Sequence, residues 1–362
     1  MTSSKAGNKR KPKEIQEFRK QVLSWYDKHA RILPWRSPPG QKPDPYHVWL
    51  SEIMLQQTTV GAVIPYFEKF LAKWPNIEAL ANADRQDVMN AWAGLGYYTR
   101  ARNLHACAKV VSEEMGGVFP KDEKTLLSLP GIGPYTASAI TTIAFNKPAN
   151  VVDGNIERIM ARYFAVEEPL PGAKKKLKAL ADTLAEGQTE RPGDYAQALM
   201  DIGAGICTPR TPKCTLCPVR SGCKGQKQGI AKDLPYRAVK TVKPQKFGFV
   251  YWIQDREGRV LLQRRPDKGL LGGTYGLPTS DWVDVAYKKK VLHPTYLQGL
   301  EFKGKKLKVR HSFTHFDLEL EVRRSTPVKS LKIGKDYFWH QTEDIGNFGF
   351  PSVFKKAVKL SL

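Results

Sequence analysis

The chain has 362 residues, with 58 Lys or Arg against 35 Asp or Glu, a formal net charge of +23 at pH 7. That length allows two or three domains, and 41% hydrophobic with 26% charged residues is the composition of packed cores rather than of a disordered chain. No stretch offers 18 uninterrupted apolar residues, which excludes a membrane-spanning helix, and the positive excess points to a polyanion as partner.

Residues 1–12 read as a flexible basic arm. Met1–Lys20 holds seven basic and two acidic residues and no apolar core, so a secretory signal is not expected and a cytoplasmic, bacterial-type location is. Residues 13–206 read as an all-α domain. Helical spacing recurs over 13–29, 47–72, 85–94, 99–115, 123–129, 135–145, 156–163, 173–184 and 196–203, with Gly, Pro and Asn at the breaks. Residues 207–223 form a cysteine loop. Residues 224–246 are poor in apolar periodicity and read as an extended basic connector; from Cys207 to Lys246 there are ten Lys or Arg and one acid, Asp233. From Phe247 the period changes to two. Phe247, Phe249, Tyr251 and Ile253 alternate with other residues, and Asp255–Gly258 precedes Val260–Leu262 as a hairpin turn would. Strand patterns at 305–311 and 316–323 and a helix pattern at 352–360 complete an α+β domain over residues 247–362.

Cys107 stands alone in a helical pattern and reads as a small buried hydrophobe. Cys207, Cys214, Cys217 and Cys223 lie within 17 residues as C-x6-C-x2-C-x5-C. In a reducing compartment four such thiols read as a metal or cluster site rather than as disulfides. The spacing leaves an iron–sulfur cluster and a structural zinc both open. Arg210, Lys213, Arg220 and Lys224 are interleaved with them, so the folded loop would present a basic knob.

Three segments carry chemistry. Leu129-Pro-Gly-Ile-Gly-Pro134 lies between two helical patterns. Gly131 and Gly133 allow a tight turn, and Pro134 suits the first turn of the next helix. Such a turn is either an ordinary helix connection or an anion site facing a phosphate. Val152-Asp153-Gly154-Asn155 starts a helix, where Asp153 is either a cap or a carboxylate placed beside a cationic sugar. Glu52 sits among apolar neighbours in Trp49–Thr58; burial there would raise its pKa and hold it as an acid, whereas a solvated helix face would not.

Taken together, the hairpin, the Val-Asp-Gly-Asn segment and the cysteine spacing resemble the helix-hairpin-helix iron–sulfur DNA glycosylase superfamily. Leu33-Pro-Trp-Arg36, Trp49-Leu-Ser-Glu-Ile-Met-Leu-Gln-Gln-Thr58 and Gly94-Leu-Gly-Tyr-Tyr98 are similar to segments of adenine DNA glycosylases of the MutY type, and the resemblance covers nearly the whole chain. It implies a monomeric base excision repair enzyme that flips adenine, mispaired with 8-oxoguanine or guanine, out of double-stranded DNA. It implies Glu52 as the acid that protonates the leaving base and Asp153 as the carboxylate that stabilises the sugar cation, with Tyr135 and Asn155 lining the site. It implies a [4Fe-4S] cluster on the four cysteines. Trp35, Arg36, Leu55, Gln57, Thr58, Tyr97, Gly131 and Gly133 are the implied DNA contacts. Related glycosylase–lyases carry Lys in the place of Tyr135; tyrosine cannot form an imine, so a monofunctional glycosylase is expected.

The C-terminal half resembles a Nudix domain through Leu262-Gln-Arg-Arg265, Gly269–Gly273 and Gly276-Leu-Pro278. Between Pro278 and Gly299 there is no Glu, so the Mg2+-binding helix of a pyrophosphohydrolase is not expected. In the family this domain recognises 8-oxoguanine. The matching loop is His311-Ser-Phe-Thr-His315, which implies Phe313, Thr314 and His315 as contacts, with Thr314 where Ser is usual.

Overall fold

The computed structural model describes residues 10–187, 190–239, 242–285, 291–305, 307–326 and 331–362. Two compact units emerge, one formed by Met1–Ala81 with Ala106–Lys240 and the other by Asn82–His105 with Thr241–Leu362.

Helices α1 (Pro12–His29), α2 (Pro45–Leu55), α3 (Val60–Lys73) and α4 (Ile77–Ala81) open the first unit. Helices α5 (Arg85–Ala91) and α6 (Thr99–Glu114) follow, α5 in the second unit and α6 crossing the division. The first unit continues with α7 (Glu123–Ser128), α8 (Pro134–Ala139), α9 (Gly154–Phe164), α10 (Lys174–Ala185), α11 (Pro192–Gly205) and α12 (Lys224–Lys227). No helix among the described residues is long and apolar enough to cross a membrane.

One long helix over 47–72 is not what forms. Gln57 takes φ 61°, a left-handed conformation, and breaks the pattern into α2 and α3. Asp44 starts α2 by accepting from the Tyr46 amide at 2.7 Å, with Pro45 at the first helical position. The core of this unit holds Phe18, Trp49, Phe67, Phe70 and Phe164, and Cys107 is fully buried. The stretch read as an extended connector is docked through Ala238. Leu234 is buried, Leu170 and Tyr236 share a backbone hydrogen bond, and Arg162 Nε donates to the Leu234 carbonyl at 2.8 Å. Of the basic arm, residues 1–9 lie outside the described residues.

The second unit carries two sheets. Strands β1 (Gln245–Trp252), β4 (Val283–Asp284), β5 (Phe302–Lys303), β6 (Lys308–Ser312) and β7 (Asp317–Ser325) form one, in the order β4-β1-β7-β5 with β6 also on β7. Strands β2 (Val260–Arg264), β3 (Tyr275–Gly276) and β8 (Tyr337–His340) form the other, in the order β3-β2-β8. The alternation in β1 sends Phe247, Phe249 and Tyr251 to one apolar cluster and Val250 and Trp252 to another. Helix α13 (Ser352–Ser361) covers the second cluster with Val353, Phe354, Ala357 and Val358. The expected β1–β2 hairpin shrinks to one bridge, Gln254–Val260. Its strands part into different sheets because β1 pairs along its whole length with β7, in parallel, from Gln245–Asp317 to Trp252–Arg324.

Candidate active site

Helix α2 is apolar nearly all round. Val48, Trp49, Leu50, Ile53 and Met54 are buried on its several faces, and Glu52 is buried among them at 7% exposure. The solvated-face reading of Glu52 is therefore excluded. A carboxylate is poorly solvated there, and this burial pushes its pKa up to about 7. The Tyr135 hydroxyl hydrogen-bonds the carboxyl and pulls the other way, Asp153 adds a smaller push upward, and Arg36 a small pull down. Burial, then the nearby Glu52 and Asp153 carboxyls, hold Tyr135 well above the ordinary phenol range, so it stays a hydroxyl donor.

Tyr135 arrives on the hairpin. Asp122 caps α7 by accepting from the Thr125 amide at 2.8 Å. Gly131 takes φ 78°, which only glycine adopts without strain, and Gly133 precedes Pro134 as the first residue of α8. A Cβ on Gly133 would meet nothing within 4 Å, so packing does not demand glycine there; the turn surface is simply open. The helix then widens into a π turn over Ile140–Ala144, a form common beside functional sites.

Asp153 is both cap and candidate catalyst. Its Oδ1 accepts from the Ile156 amide at 2.7 Å and its Oδ2 from Asn155 Nδ2 at 2.8 Å. Asn155 is held in turn: Arg158 Nη2 donates to its Oδ1 at 2.8 Å and to the Gly203 carbonyl at 2.7 Å. Arg158 Nε donates to the Cys207 carbonyl at 2.7 Å. A continuous polar chain thus joins the cysteine loop to Asp153.

One cleft of ≈ 880 Å³ gathers Glu52, Tyr135, Asp153 and Asn155, together with Trp35, Arg36, Leu55, Gln57, Thr58, Gly131 and Gly133. Two residues behave differently from a free DNA contact. Trp35 is buried and meets Phe67 edge-on at 5.3 Å. Arg36 Nη1 donates to both oxygens of Asp201, at 2.9 and 2.7 Å. Asp201 also takes Arg31, through Nε at 2.6 Å and the amide at 3.0 Å. Sequence reading missed Asp201, Arg31 and Gln197, of which Arg31 and Gln197 line the cleft. Asp201 could have been found as the lone acid within the apolar run Ala198–Gly203.

The remaining residues lie in the second unit. Loop 313–316 joins β6 to β7, closed by the Phe313 amide on the Phe316 carbonyl at 2.9 Å. Phe313 packs against His311 at 4.5 Å and Phe316 at 5.0 Å, whereas Thr314 and His315 are exposed. The hydroxyls of Thr314 and Tyr97 share a hydrogen bond at 2.5 Å, so these two expected contacts meet.

The four loop cysteines form no disulfide and line one cavity with Arg162 and Arg220. Arg162 Nη1 donates to Cys207 Sγ at 3.3 Å and to the Thr208 carbonyl at 2.7 Å. No group of three or more His, Cys, Asp or Glu among the described residues is arranged for a single metal ion.

Residues 50–186 match the HhH-GPD superfamily base excision DNA repair proteins, and residues 249–360 match the NUDIX domain. The adenine DNA glycosylase of Mus musculus is 43% identical over 409 residues, 96% of this chain and 78% of its own. That of Homo sapiens is 32% identical over 413 residues, 96% of this chain and 74% of its own. That of Buchnera aphidicola subsp. Acyrthosiphon pisum (strain APS) is 32% identical over 351 residues, 94% of this chain and 97% of its own. Among solved structures, a thermostable thymine-DNA glycosylase superposes with a TM-score of 0.52 at 33% identity, over 60% of this chain and 98% of that one. A non-covalent endonuclease III–DNA complex superposes with a TM-score of 0.50 at 19% identity, over 61% of this chain and 99% of that one, a likeness of fold.

Proposed function

The chain belongs to the adenine DNA glycosylases, base excision repair enzymes of the HhH-GPD superfamily, and on that premise we propose that its cleft hydrolyses the glycosidic bond of adenine mispaired with 8-oxoguanine or guanine and leaves an abasic site. The observation that carries this is the meeting of Glu52, Tyr135, Asp153 and Asn155 in one cleft, with Glu52 ionising at about 7.

The roles follow from the environments. A carboxyl about half protonated at neutral pH can hand its proton to a ring nitrogen of the flipped adenine. The bond from the sugar to that base then breaks, and its electron pair leaves with the base. Asp153, whose two oxygens already accept from Ile156 and Asn155, stabilises the sugar cation by its negative charge. Water adds to the sugar carbon and gives up a proton to the Glu52 carboxylate, which restores the acid. Tyr135 holds Glu52 by its hydroxyl and offers no amine, so no Schiff base forms through it. Lys174 also lines the cleft, at 3.8 Å from Glu157 as an ion pair. With no amine at the Tyr135 position the cleft acts as a monofunctional glycosylase.

The loop residues fit a [4Fe-4S] cluster on Cys207, Cys214, Cys217 and Cys223. Four soft sulfur donors around one cavity suit such a group, and when bound it supplies order to the basic loop. Phe313, Thr314 and His315 are proposed to meet 8-oxoguanine, with the Thr314 hydroxyl as the polar contact. The test is a labelled duplex with one adenine opposite 8-oxoguanine, under single turnover. Strand breaks that appear only after alkali support the proposal. Borohydride trapping of a covalent complex in good yield, or no adenine release at all, overturns it.

A further inference from the structure

The cysteine loop is fastened at both ends, and its far end depends on a residue from the other end of the first unit's sequence. The near end, Cys207 to Pro209, hangs on Arg158 and Arg162, whose guanidinium groups donate to the carbonyls of Cys207, Thr208 and Pro209. At the far end, Gly222 lies flat against Tyr163; a Cβ on it would sit 2.4 Å from the tyrosine hydroxyl. Cys223 Sγ lies 3.4 Å from the Arg162 carbonyl oxygen. The Gly222–Cys223 step therefore rests on the last turn of α9.

Arg10 closes over this step from outside. Its Nη2 donates to the Gly222 carbonyl at 2.5 Å. Its guanidinium carbon stands 4.6 Å from the centre of the Tyr163 ring and 5.6 Å from that of Phe164. Its Nε is buried without an acceptor among the described residues, as expected of a group lying over rings. Only 11% of the side chain is exposed, although it lies just before α1, and Nη1 is 3.5 Å from Glu14. Phe18 of α1 buttresses the same Tyr163 ring edge-on at 4.7 Å. A cation over an aromatic face combined with a charge-assisted hydrogen bond is a strong pairing for a largely desolvated guanidinium.

We infer that Arg10 is a positioning residue that clamps the Gly222–Cys223 step, so that the N-terminal segment locks the cysteine loop and shields the group it holds. Nothing in the roles of the cleft residues requires this clamp. Its bearing on the cluster rests on the [4Fe-4S] reading above; the clamp itself does not. Two measurements on the full chain separate these.

The first is amide hydrogen exchange of residues 214–228 in the parent, Arg10→Ala, Arg10→Lys and Glu14→Gln. Exchange in Arg10→Ala is expected at least about fivefold faster, with Arg10→Lys intermediate because it keeps the cation over Tyr163, and Glu14→Gln within about twofold of the parent. The second is the rate at which a chelator bleaches the visible iron–sulfur absorption, expected in the same order. Exchange in Arg10→Ala within twofold of the parent overturns the clamp. Faster exchange with unchanged bleaching overturns the shielding role. A parent protein that shows no iron–sulfur absorption defeats the cluster reading instead, and the exchange measurement still decides the clamp.

Discussion

Replacing Glu52 by Gln should stabilise the protein while disabling it, and the stabilisation should grow with pH. Glu52 ionises at about 7 in the folded chain against an ordinary 4.5, chiefly because it is buried. Below about pH 4.5 both folded and unfolded chains carry the neutral acid, and Glu52 costs nothing. Between 4.5 and 7 the unfolded chain releases the proton and the folded chain keeps it, so stability falls as pH rises. Above 7 the full difference is in force. At about 1.36 kcal/mol per pH unit, a gap of about 2.5 gives roughly 3 kcal/mol. Gln keeps an acceptor for the Tyr135 hydroxyl and carries no charge. At about 2–4 °C per kcal/mol for a domain of this size, Tm at pH 8 should rise by roughly 6–12 °C, and by about 1–3 °C at pH 5. Thermal unfolding followed by circular dichroism at both pH values measures this. A variant no more stable than the parent at pH 8, or a gain independent of pH, would refute the argument that Glu52 is a buried acid held near neutrality.

Three further outcomes follow from the same geometry. Asp153→Asn should keep the α9 cap, because Asn caps as well as Asp, but its Nδ2 would face Asn155 Nδ2, donor against donor, lowering Tm by about 2–4 °C, and removing the charge beside the sugar should slow single-turnover excision by about 10²–10³-fold or more. Arg158→Met strips donors from Asn155, Gly203 and Cys207; denaturant titration should show a loss of about 2–4 kcal/mol, and excision should slow about 100-fold as Asp153 loses its alignment. Thr314→Val keeps the shape and loses the hydroxyl; competition between duplexes should show the preference for adenine opposite 8-oxoguanine over adenine opposite guanine shrinking about tenfold, with excision from the guanine mispair within twofold of the parent.

Much of this was legible in the sequence because its signals were redundant. The turn glycines and a proline at the first helical position agreed at residues 131–134, and the alternation from Phe247 to Ile253 marked β1 whatever its partners. What escaped was long-range. Nothing local tells that β1 pairs with β7, 72 residues later in register, so the nearby turn suggested a hairpin instead. Nothing local tells that Gln57 breaks a helix whose apolar spacing runs on; its left-handed φ is a backbone fact. The cleft was legible in its carboxylates, since Glu52 sits in an apolar run and Asp153 at a helix start. Its supports were not. The resemblance implied Arg36 as a DNA contact, yet the fold spends it on Asp201, 165 residues away. Arg158 carries no local signal of its role, because its partners Asn155 and Cys207 are set by the packing of α9 against the cysteine loop.

The most direct test of the account measures binding and base release separately on one duplex containing adenine opposite 8-oxoguanine, for the parent, Glu52→Gln and Asp153→Asn at pH 7. All three should bind within a few-fold of one another, and only the parent should release adenine at an appreciable single-turnover rate. Variants that release adenine as fast as the parent would contradict it and move the chemistry out of this cleft.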